Sequence, residues 1–451
     1  DNGTAIDAGA MTFINANNPI SGKVSSSNSL VGTTAGDKIG TGITTLRNGN
    51  FVVSSMYWDN GSAKDAGAVT FGNGITGITG VVSSSNSLVG TKLNDQVGWN
   101  VIPLPNGNYL VNSYSWANGT SMLAGAVTFG NGNTGITGAV SSSNSLVGTY
   151  PGESIGYQIH ILSNGNYLVQ SPFWTFNTTP NGKSVGAFTW GNGNTGISGV
   201  VSSSNSLVGA KTLDGYGSQV KVLSNGNYVI VAPSWDSSTI ADAGAITWGD
   251  GNTGITGVIS SSNSLVGTTA NQFDGAQVFP LIGNGNYVLH LPKWDSSTLV
   301  DAGAVRWVDG SGPVTSAISA ANSLVGTTAN QFAGANISRL FNGNYLVYTP
   351  SWDSATTMDV GALTWASGNT GISGTISAAN SLVGSKQNDL YSASYFSPRY
   401  LGNGNVVMAF GGLDNGNVAD AGGLVWMSGS QPTVGVISSA NALMGLSLIH
   451  I

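Results

Sequence analysis

Three histidines are the first residues to test for chemistry in this sequence. They are His160, His290 and His450, and each stands in a different local context. Scattered in this way, they provide neither the clustered ligands of a metal site nor a base beside a nucleophile. Catalysis would need a convergent set of side chains unique to one or two regions, and none is evident. We expect no catalytic residue, no metal ligand and no cofactor, and hence not an enzyme.

Aspartates recur before an Ala-Gly pair that is followed by Ala or Gly. A ring of carboxylates could hold cations, but an aspartate also caps its own loop by accepting backbone N–H groups. We favour loop capping, because a residue repeated in every copy usually serves that copy. The aspartates are Asp7, Asp65, Asp242, Asp301 and Asp420.

Large aromatic residues recur at two positions. If exposed they could stack on sugar rings, although aromatic residues at equivalent positions more often fill a core. The first set supplies the candidate ligand-contact residues: Trp58, Trp116, Trp174, Trp235, Trp294 and Trp352. The second set is Phe71, Phe129, Trp190, Trp248, Trp307, Trp365 and Trp426.

The composition excludes several classes of function. The chain has 451 residues, of which 67 are glycine and 7% are charged, against roughly 25% charged in an average soluble domain. Its 40% hydrophobic content still allows a core. A net charge of −7 without a Lys/Arg cluster predicts no nucleic-acid partner, and the lack of an apolar run of about 18 residues predicts no membrane insertion. There is no cysteine, so disulfides and thiolate metal sites are excluded.

Three short strings keep step along the whole chain, which identifies an internal repeat of 58 to 61 residues. Asn-Ser-Leu-Val-Gly or a close variant starts at Asn28, Asn86, Asn144, Asn205, Asn263, Asn322, Asn380 and Asn441. Asn-Gly-Asn starts at Asn48, Asn106, Asn164, Asn225, Asn284, Asn342 and Asn403. Gly-Ala before an apolar residue marks a third position, as at Gly67 and Gly186.

Each repeat predicts four short β-strands. In residues 149–209, Ile159–Leu162 and Tyr167–Val169 flank Asn164-Gly165, a pair typical of a type I′ hairpin with positive φ at both central residues. Strand three is Ala187–Trp190, and strand four lies near Gly199–Ser202. Strand two is apolar on both faces, as expected where a sheet is covered on both sides.

The predicted fold is all-β, a seven-bladed β-propeller of four-stranded antiparallel blades. A single repeat cannot bury both of its faces, so it must stack on its neighbours. The alternative is a β-solenoid, although solenoid coils are usually shorter and do not need a hairpin in every unit.

The repeat resembles the FG-GAP repeat of integrin α-chain-type β-propellers. Asp95-Gln96-Val97-Gly98 resembles the first element of that motif, Val169-Gln170-Ser171-Pro172 the second, and Gly67-Ala68-Val69-Thr70-Phe71 the third. Many FG-GAP repeats carry an acidic calcium loop between strands one and two. Here that loop is shortened to Asn-Gly-Asn, so bound calcium is not expected.

The repeat also looks like those of large bacterial haemagglutinin or adhesin-like exoproteins. That resemblance implies a non-catalytic structural or adhesive module, secreted or displayed on the cell surface. Its partners would be a glycan, a protein on a host or neighbouring cell, or further repeats of the same polypeptide. The alternative function is that of a glycan-binding, lectin-like propeller.

The repeat boundaries divide the chain into three parts. Residues 1–32 form a partial repeat with strands three and four only, and residues 33–445 form seven repeats. Residues 446–451 fit no repeat, and we interpret them as a tail that does not belong to the natural protein.

Overall fold

The structure is a computed structural model that describes residues 1–15, 20–176, 183–391 and 398–446. The described residues form strands and turns but no helix, and therefore no helix that could cross a membrane. The chain divides into two compact units. The first contains Asp1–Tyr216 and Gly251–Val258, and the second contains Gly217–Asp250 and Ile259–Ile451.

The first unit begins with a partial repeat and continues through three full ones. Its strands are β1 (Ala10–Met11), β2 (Leu30–Val31), β3 (Gly42–Thr45), β4 (Phe51–Ser55), β5 (Ala68–Gly72), β6 (Gly80–Val81), β7 (Ser87–Val89), β8 (Asn100–Pro103), β9 (Tyr109–Ser113), β10 (Ala126–Gly130), β11 (Gly138–Ala139), β12 (Ser145–Val147), β13 (Gln158–Ile161), β14 (Tyr167–Ser171), β15 (Ala187–Gly191), β16 (Gly199–Val200) and β17 (Leu207–Val208).

The second unit contains the remaining strands except β21, which belongs to the first. In chain order they are β18 (Gln219–Val222), β19 (Tyr228–Ala232), β20 (Ala245–Gly249), β21 (Gly257–Val258), β22 (Ser264–Val266), β23 (Gln277–Pro280), β24 (Tyr287–Leu291), β25 (Ala304–Val308), β26 (Leu324–Val325), β27 (Asn336–Arg339), β28 (Tyr345–Thr349), β29 (Ala362–Ala366), β30 (Gly374–Thr375), β31 (Leu382–Val383), β32 (Arg399–Tyr400), β33 (Val406–Phe410), β34 (Gly423–Met427), β35 (Gly435–Val436) and β36 (Ala442–Met444).

These strands form eight small sheets of three to five strands. A typical sheet has the order β3-β4-β5-β7-β11, in which the first four strands are antiparallel neighbours from one repeat. The fifth strand, β11, comes from the next repeat and runs parallel to β7. The all-β repeat architecture predicted from the sequence is confirmed.

The prediction of purely antiparallel four-stranded blades was wrong about the fourth strand. The segment at Gly199 does form a strand, but β16 pairs in parallel with β12 of the preceding sheet. The antiparallel neighbour of β15 is instead β17, within the Leu-Val-Gly string. The reason is local, because Gly196 and Gly199 adopt φ of +74° and +111°, so that the backbone turns twice after β15 and leaves its sheet.

The hairpin between strands one and two is confirmed, but its turn type was wrong. Gly165 has φ of +87°, whereas Asn164 is not in the positive-φ region. Gly165 N–H donates to Leu162 O, and Leu162 N–H donates to Asn166 O. This is a type I turn followed by a left-handed glycine, the usual three-residue hairpin loop, rather than the type I′ turn.

The hydrophobic core lies between consecutive sheets. One cluster joins Val52 and Val69 of one repeat to Tyr109 and Val111 of the next. Every residue of β9 is buried, because Tyr109 and Val111 pack on the preceding sheet and Leu110 packs on the following one. A repeat therefore completes its core only through the repeats beside it.

Candidate functional site

The six tryptophans predicted as ligand contacts are buried, with 5 to 9% of each side chain exposed. They are Trp58, Trp116, Trp174, Trp235, Trp294 and Trp352. The backbone of Trp116 closes the loop around it, since its N–H donates to Ser113 O and its carbonyl accepts from Gly125 N–H. Rings with so little accessible surface pack as core and present no open face to a sugar. The proposed function does not depend on them.

The second aromatic position joins each sheet to the next repeat. These rings are half-buried, apart from Trp426, which is 49% exposed. Trp190 Nε1–H donates to Gly251 O at 2.9 Å, and Trp307 Nε1–H donates to Gly368 O at 2.9 Å. Trp248 and Trp365 make the equivalent bonds to Gly310 and Gly429. The indole N–H thus fixes the distance between consecutive repeats.

A ladder of asparagine side chains runs beside these rings. Asn108 accepts a hydrogen bond from Gly132 N–H of its own repeat at 2.9 Å and donates to Gly193 O of the next repeat at 3.0 Å. The equivalent donations define what we call the asparagine ladder: Asn50 to Gly132, Asn108 to Gly193, Asn166 to Gly251, Asn227 to Gly310, Asn286 to Gly368 and Asn344 to Gly429. The Asn-Gly-Asn string is therefore an interface motif as well as a turn.

A buried carboxylate or amide oxygen accepts a hydrogen bond from a backbone N–H group in each full repeat. The Asp95 carboxylate accepts hydrogen bonds from the backbone N–H groups of Thr91, Lys92 and Ala117 at 2.8 to 2.9 Å. Burial raises the pKa of this carboxyl, while the three N–H donors act to lower it. The position is filled by Asp37, Asp95, Glu153, Asp214, Gln272, Gln331 and Asp389, all at most 2% exposed.

The recurrent aspartates before Ala-Gly have a different role from the capping predicted for them. Asp65 adopts φ of +51°, and its own N–H donates to Asp59 Oδ1 at 2.8 Å. The capping carboxylate therefore belongs to the residue six positions earlier. Asp7, Asp242, Asp301 and Asp420 repeat this arrangement.

Two of the three histidines are placed as structural residues. His160 Nε2 lies 2.9 Å from Gln170 Oε1, and His290 Nε2 lies 3.1 Å from Phe332 O. Burial lowers the pKa of both imidazoles. His450 and the rest of the tail from residue 447 lie outside the described residues. Within the described part of the chain, no three His, Cys, Asp or Glu side chains are grouped so that they could hold a metal ion.

A threonine on strand three normally bonds to a serine at the start of the Leu-Val-Gly strand. Thr364 Oγ1 lies 2.7 Å from Ser381 Oγ, and Thr247 lies equally close to Ser264. The same pair occurs as Thr12–Ser29, Thr70–Ser87, Thr128–Ser145 and Thr189–Ser206. Repeat five, residues 268–326, places Arg306 at this position.

Arg306 is 7% exposed and turns to a partner within its own repeat. Its guanidinium donates to Ser316 O at 2.5 Å and to Ser316 Oγ at 2.6 Å. No carboxylate of a described residue lies within ion-pair distance of it. Burial lowers the pKa of this guanidinium, because the charge is partly removed from water. Only two of its five N–H groups donate a hydrogen bond to a described residue.

The loop after Arg306 also differs in sequence from the equivalent loops of the other repeats. Ser316 replaces a glycine whose φ lies near +100° in the other repeats, as at Gly257 and Gly374, and Ser316 itself has no positive φ. Pro313 replaces the preceding loop glycine, as Pro432 does in repeat seven. The parallel strand that would begin at Ser316 is not formed, and the sheet β18-β19-β20-β22 has four strands.

A cavity of about 460 Å³ lies beside this departure. Its polar lining is Arg306, Asp309, Thr315, Ser316, Asn322, Thr370 and Ser373, and its apolar lining includes Trp307, Pro313, Val314 and Ile372. A second cavity of about 360 Å³ lies beside Ala317 and Ile318, where the parallel strand is missing. The site thus combines one buried cation, several hydroxyl and amide groups, and an aromatic ring.

Sequence reasoning missed Arg306, Pro313 and Ser316. The signal that could have found Arg306 was present, since aligning the repeats places it in a column that holds threonine in five other full repeats and valine in repeat seven. A charged residue in that column marks repeat five.

The first unit carries an exposed aromatic ring at the same position of two successive repeats, Trp99 and Tyr157, each against a half-buried ring of its own repeat. Trp99 and Tyr114 meet edge to face with ring centroids 5.2 Å apart, and Tyr157 and Phe173 meet in the same way at 5.2 Å. Trp99 is 48% exposed and Tyr157 is 61% exposed. These rings, unlike the six buried tryptophans, present surface to solvent.

Comparison with known families gives one match that spans the chain. The family described as "Repeat of unknown function (DUF5650)" matches residues 1–41, 45–99, 103–157, 161–218, 222–276, 281–335, 339–393 and 400–448. No match to the FG-GAP family accompanies it. None of the curated proteins matches the chain.

Proposed function

We propose, on the premise that this chain belongs to the DUF5650 family of repeats, that it is a non-catalytic structural and adhesive repeat module. Its setting would be a bacterial exoprotein that is secreted or displayed on the cell surface. Its partners would be glycans or proteins on a host or neighbouring cell, or further repeats of its own polypeptide. The module would act by holding exposed loops in a fixed, repeated arrangement.

The asparagine ladder is the observation that carries this proposal. Asn108 contacts a glycine of its own repeat and a glycine of the next, and five other repeat-spanning donations follow the same geometry. The tryptophan indoles add a parallel set of inter-repeat bonds. Residues used in this way stabilise an array, since in repeat proteins stability comes from nearest-neighbour interfaces.

The adhesive part of the proposal is tested by coating beads with the purified chain and measuring their retention on bacterial and epithelial cell layers under flow. We expect retention above that of albumin-coated beads, and competition by soluble chain. Retention equal to that of albumin on both cell types would contradict an adhesive role.

For the arrangement of the repeats, we favour a seven-bladed propeller built by residues 33–445, with a β-solenoid as the alternative. Support comes from the recurring sheet of four antiparallel strands in each repeat and from cores that lie between consecutive sheets. Electron-microscopy class averages distinguish the two. Discs with seven lobes would support the propeller, and elongated rods would support the solenoid.

A second candidate function, glycan binding, is favoured by the exposed pairs Trp99–Tyr114 and Tyr157–Phe173. Exposed aromatic faces stack on sugar rings. Titration of a neutral glycan panel against tryptophan fluorescence would show quenching that Trp99→Ala removes. A panel without any response would exclude this function for these rings.

A further inference from the structure

Repeat five contains a buried cation beside an open cavity, and the regular repeats have no counterpart at that position. From this geometry we infer that the Arg306 cavity binds a sugar acid, with the ligand carboxylate on the guanidinium of Arg306. This inference goes beyond the proposed function and does not depend on it, since a chain that fails to hold cells could still bind a small ligand here.

A carboxylate fits the unused donors of Arg306. Both partners of the guanidinium are neutral oxygens of Ser316, and the other three of its five N–H groups have no hydrogen-bond partner among the described residues. A planar guanidinium forms its strongest pairs with carboxylates, which it can hold through two parallel hydrogen bonds. A buried charge without a counter-charge is unfavourable, so an anion in the cavity would stabilise the site.

The remaining lining matches a hydroxylated ring. Thr315, Asn322, Thr370 and Ser373 offer hydroxyl and amide groups, and Trp307 offers an aromatic surface. The cavity of about 460 Å³ lies within the range of roughly 300 to 1,000 Å³ that is usual for small-molecule sites. The lining is therefore richer in hydrogen-bonding groups than a simple anion requires.

Asp309 narrows the choice of anion. Asp309 also lines the cavity, and its carboxylate accepts a hydrogen bond from Ser311 N–H at 2.9 Å. Hydrogen bonds from the backbone and side chain of Ser311 lower the pKa of Asp309, so its carboxylate is negatively charged at neutral pH. Its charge opposes a multiply charged anion such as phosphate, whereas its free lone pairs can accept sugar hydroxyl groups.

The test is isothermal titration calorimetry of the full chain with D-glucuronate, with D-glucose as the neutral match and inorganic phosphate and glycine as competing chemistries. We expect saturable binding of glucuronate and none of glucose. Arg306→Thr should weaken glucuronate binding about tenfold or more, equivalent to 1.4 kcal/mol. This variant carries the residue type found at Thr247 and Thr364, so it should fold. Thr364→Val is the matched control in repeat six and should leave the affinity unchanged.

Ser316→Ala provides a second variant in case Arg306→Thr does not fold. It removes a hydroxyl that positions the guanidinium and should weaken glucuronate binding a few-fold without creating glucose binding. The inference is overturned if glucuronate does not bind, if glucose binds equally well, or if both variants bind glucuronate as the parent does. Tighter binding of phosphate or glycine would overturn the sugar-acid assignment.

Discussion

Repeats five and six belong to the same compact unit and differ at one strand position. Repeat six has Thr364 bonded to Ser381, and the parallel strand β30 follows, beginning at Gly374. Repeat five has Arg306 bonded to Ser316, and no parallel strand is formed there. Both repeats keep their rung of the asparagine ladder, at Asn286 and Asn344. Seven copies in one chain therefore act as internal controls: shared residues maintain the array, and a local departure marks a site.

The largest expected effect comes from placing the arginine of repeat five into repeat six. Thr364→Arg puts a guanidinium where Thr364 is fully buried and its hydroxyl is paired with that of Ser381. We expect a loss of about 3 kcal/mol or more of unfolding free energy, because the buried charge is uncompensated. Arg306→Thr should change the unfolding free energy by no more than about 1 kcal/mol. Urea unfolding of both variants would measure the contrast, and equal losses would contradict it.

The asparagine ladder should not distinguish the two repeats. Asn286→Ala and Asn344→Ala each remove one accepted and one donated hydrogen bond. Each leaves one buried glycine N–H unpaired, while the glycine carbonyl keeps its bonds from a second asparagine and a tryptophan indole. We expect each variant to lose about 2 kcal/mol. A loss confined to Asn344→Ala would show that the array is interrupted at repeat five.

A smaller effect is expected at the glycine that repeat five lacks. Gly374 has φ of +98° with open space around its missing side chain, so a substitution there is strained but does not clash. Gly374→Ser should cost about 1 kcal/mol. Gly165→Val, in the hairpin turn of repeat three, should cost about the same or more for the same reason. A melting temperature equal to that of the parent for either variant would contradict the assigned backbone conformation.

The smallest expected effect is on the pH dependence of stability. It concerns His290 of repeat five, whose equivalent in repeat six is Tyr348. His290 Nε2 contacts Phe332 O, and Tyr348 O–H donates to Leu390 O. Burial lowers the pKa of His290, so the folded state favours the neutral imidazole and stability is lost as the pH falls below the unfolded value of about 6.5. His290→Tyr should reduce the fall in melting temperature between neutral and mildly acidic pH. If the melting temperature of His290→Tyr falls with pH as much as that of the parent, His290 is not the source of the acid sensitivity.

The sequence predicted the strands well wherever a residue pattern acts locally. Asn164-Gly165 and Tyr167–Val169 predicted a hairpin and a fully buried strand, since turn chemistry and burial depend on adjacent residues. The fourth strand was assigned to the wrong partner, because pairing of β16 with β12 depends on where Gly196 and Gly199 direct the chain. Local propensity does not contain that information.

The site was harder to predict, because its residues are unremarkable one at a time. The six tryptophans attracted attention by size and recurrence, and those same properties make them core residues. Arg306 is notable only against the uncharged residues that the other repeats place there, and its cavity depends on Ser316 and Thr370, which lie in two different repeats. Charge and spacing alone do not reveal such a cavity.

The most direct test of the contrast between repeats five and six is amide hydrogen exchange followed by mass spectrometry. In repeat six the Gly374 N–H donates to Ser323 O, and it should be protected, as should the equivalent Gly435 N–H that donates to Ser381 O. Peptides that cover Ser316 should exchange much faster and gain protection when glucuronate is added. Equal protection at Ser316 and Gly374 without ligand would contradict the account.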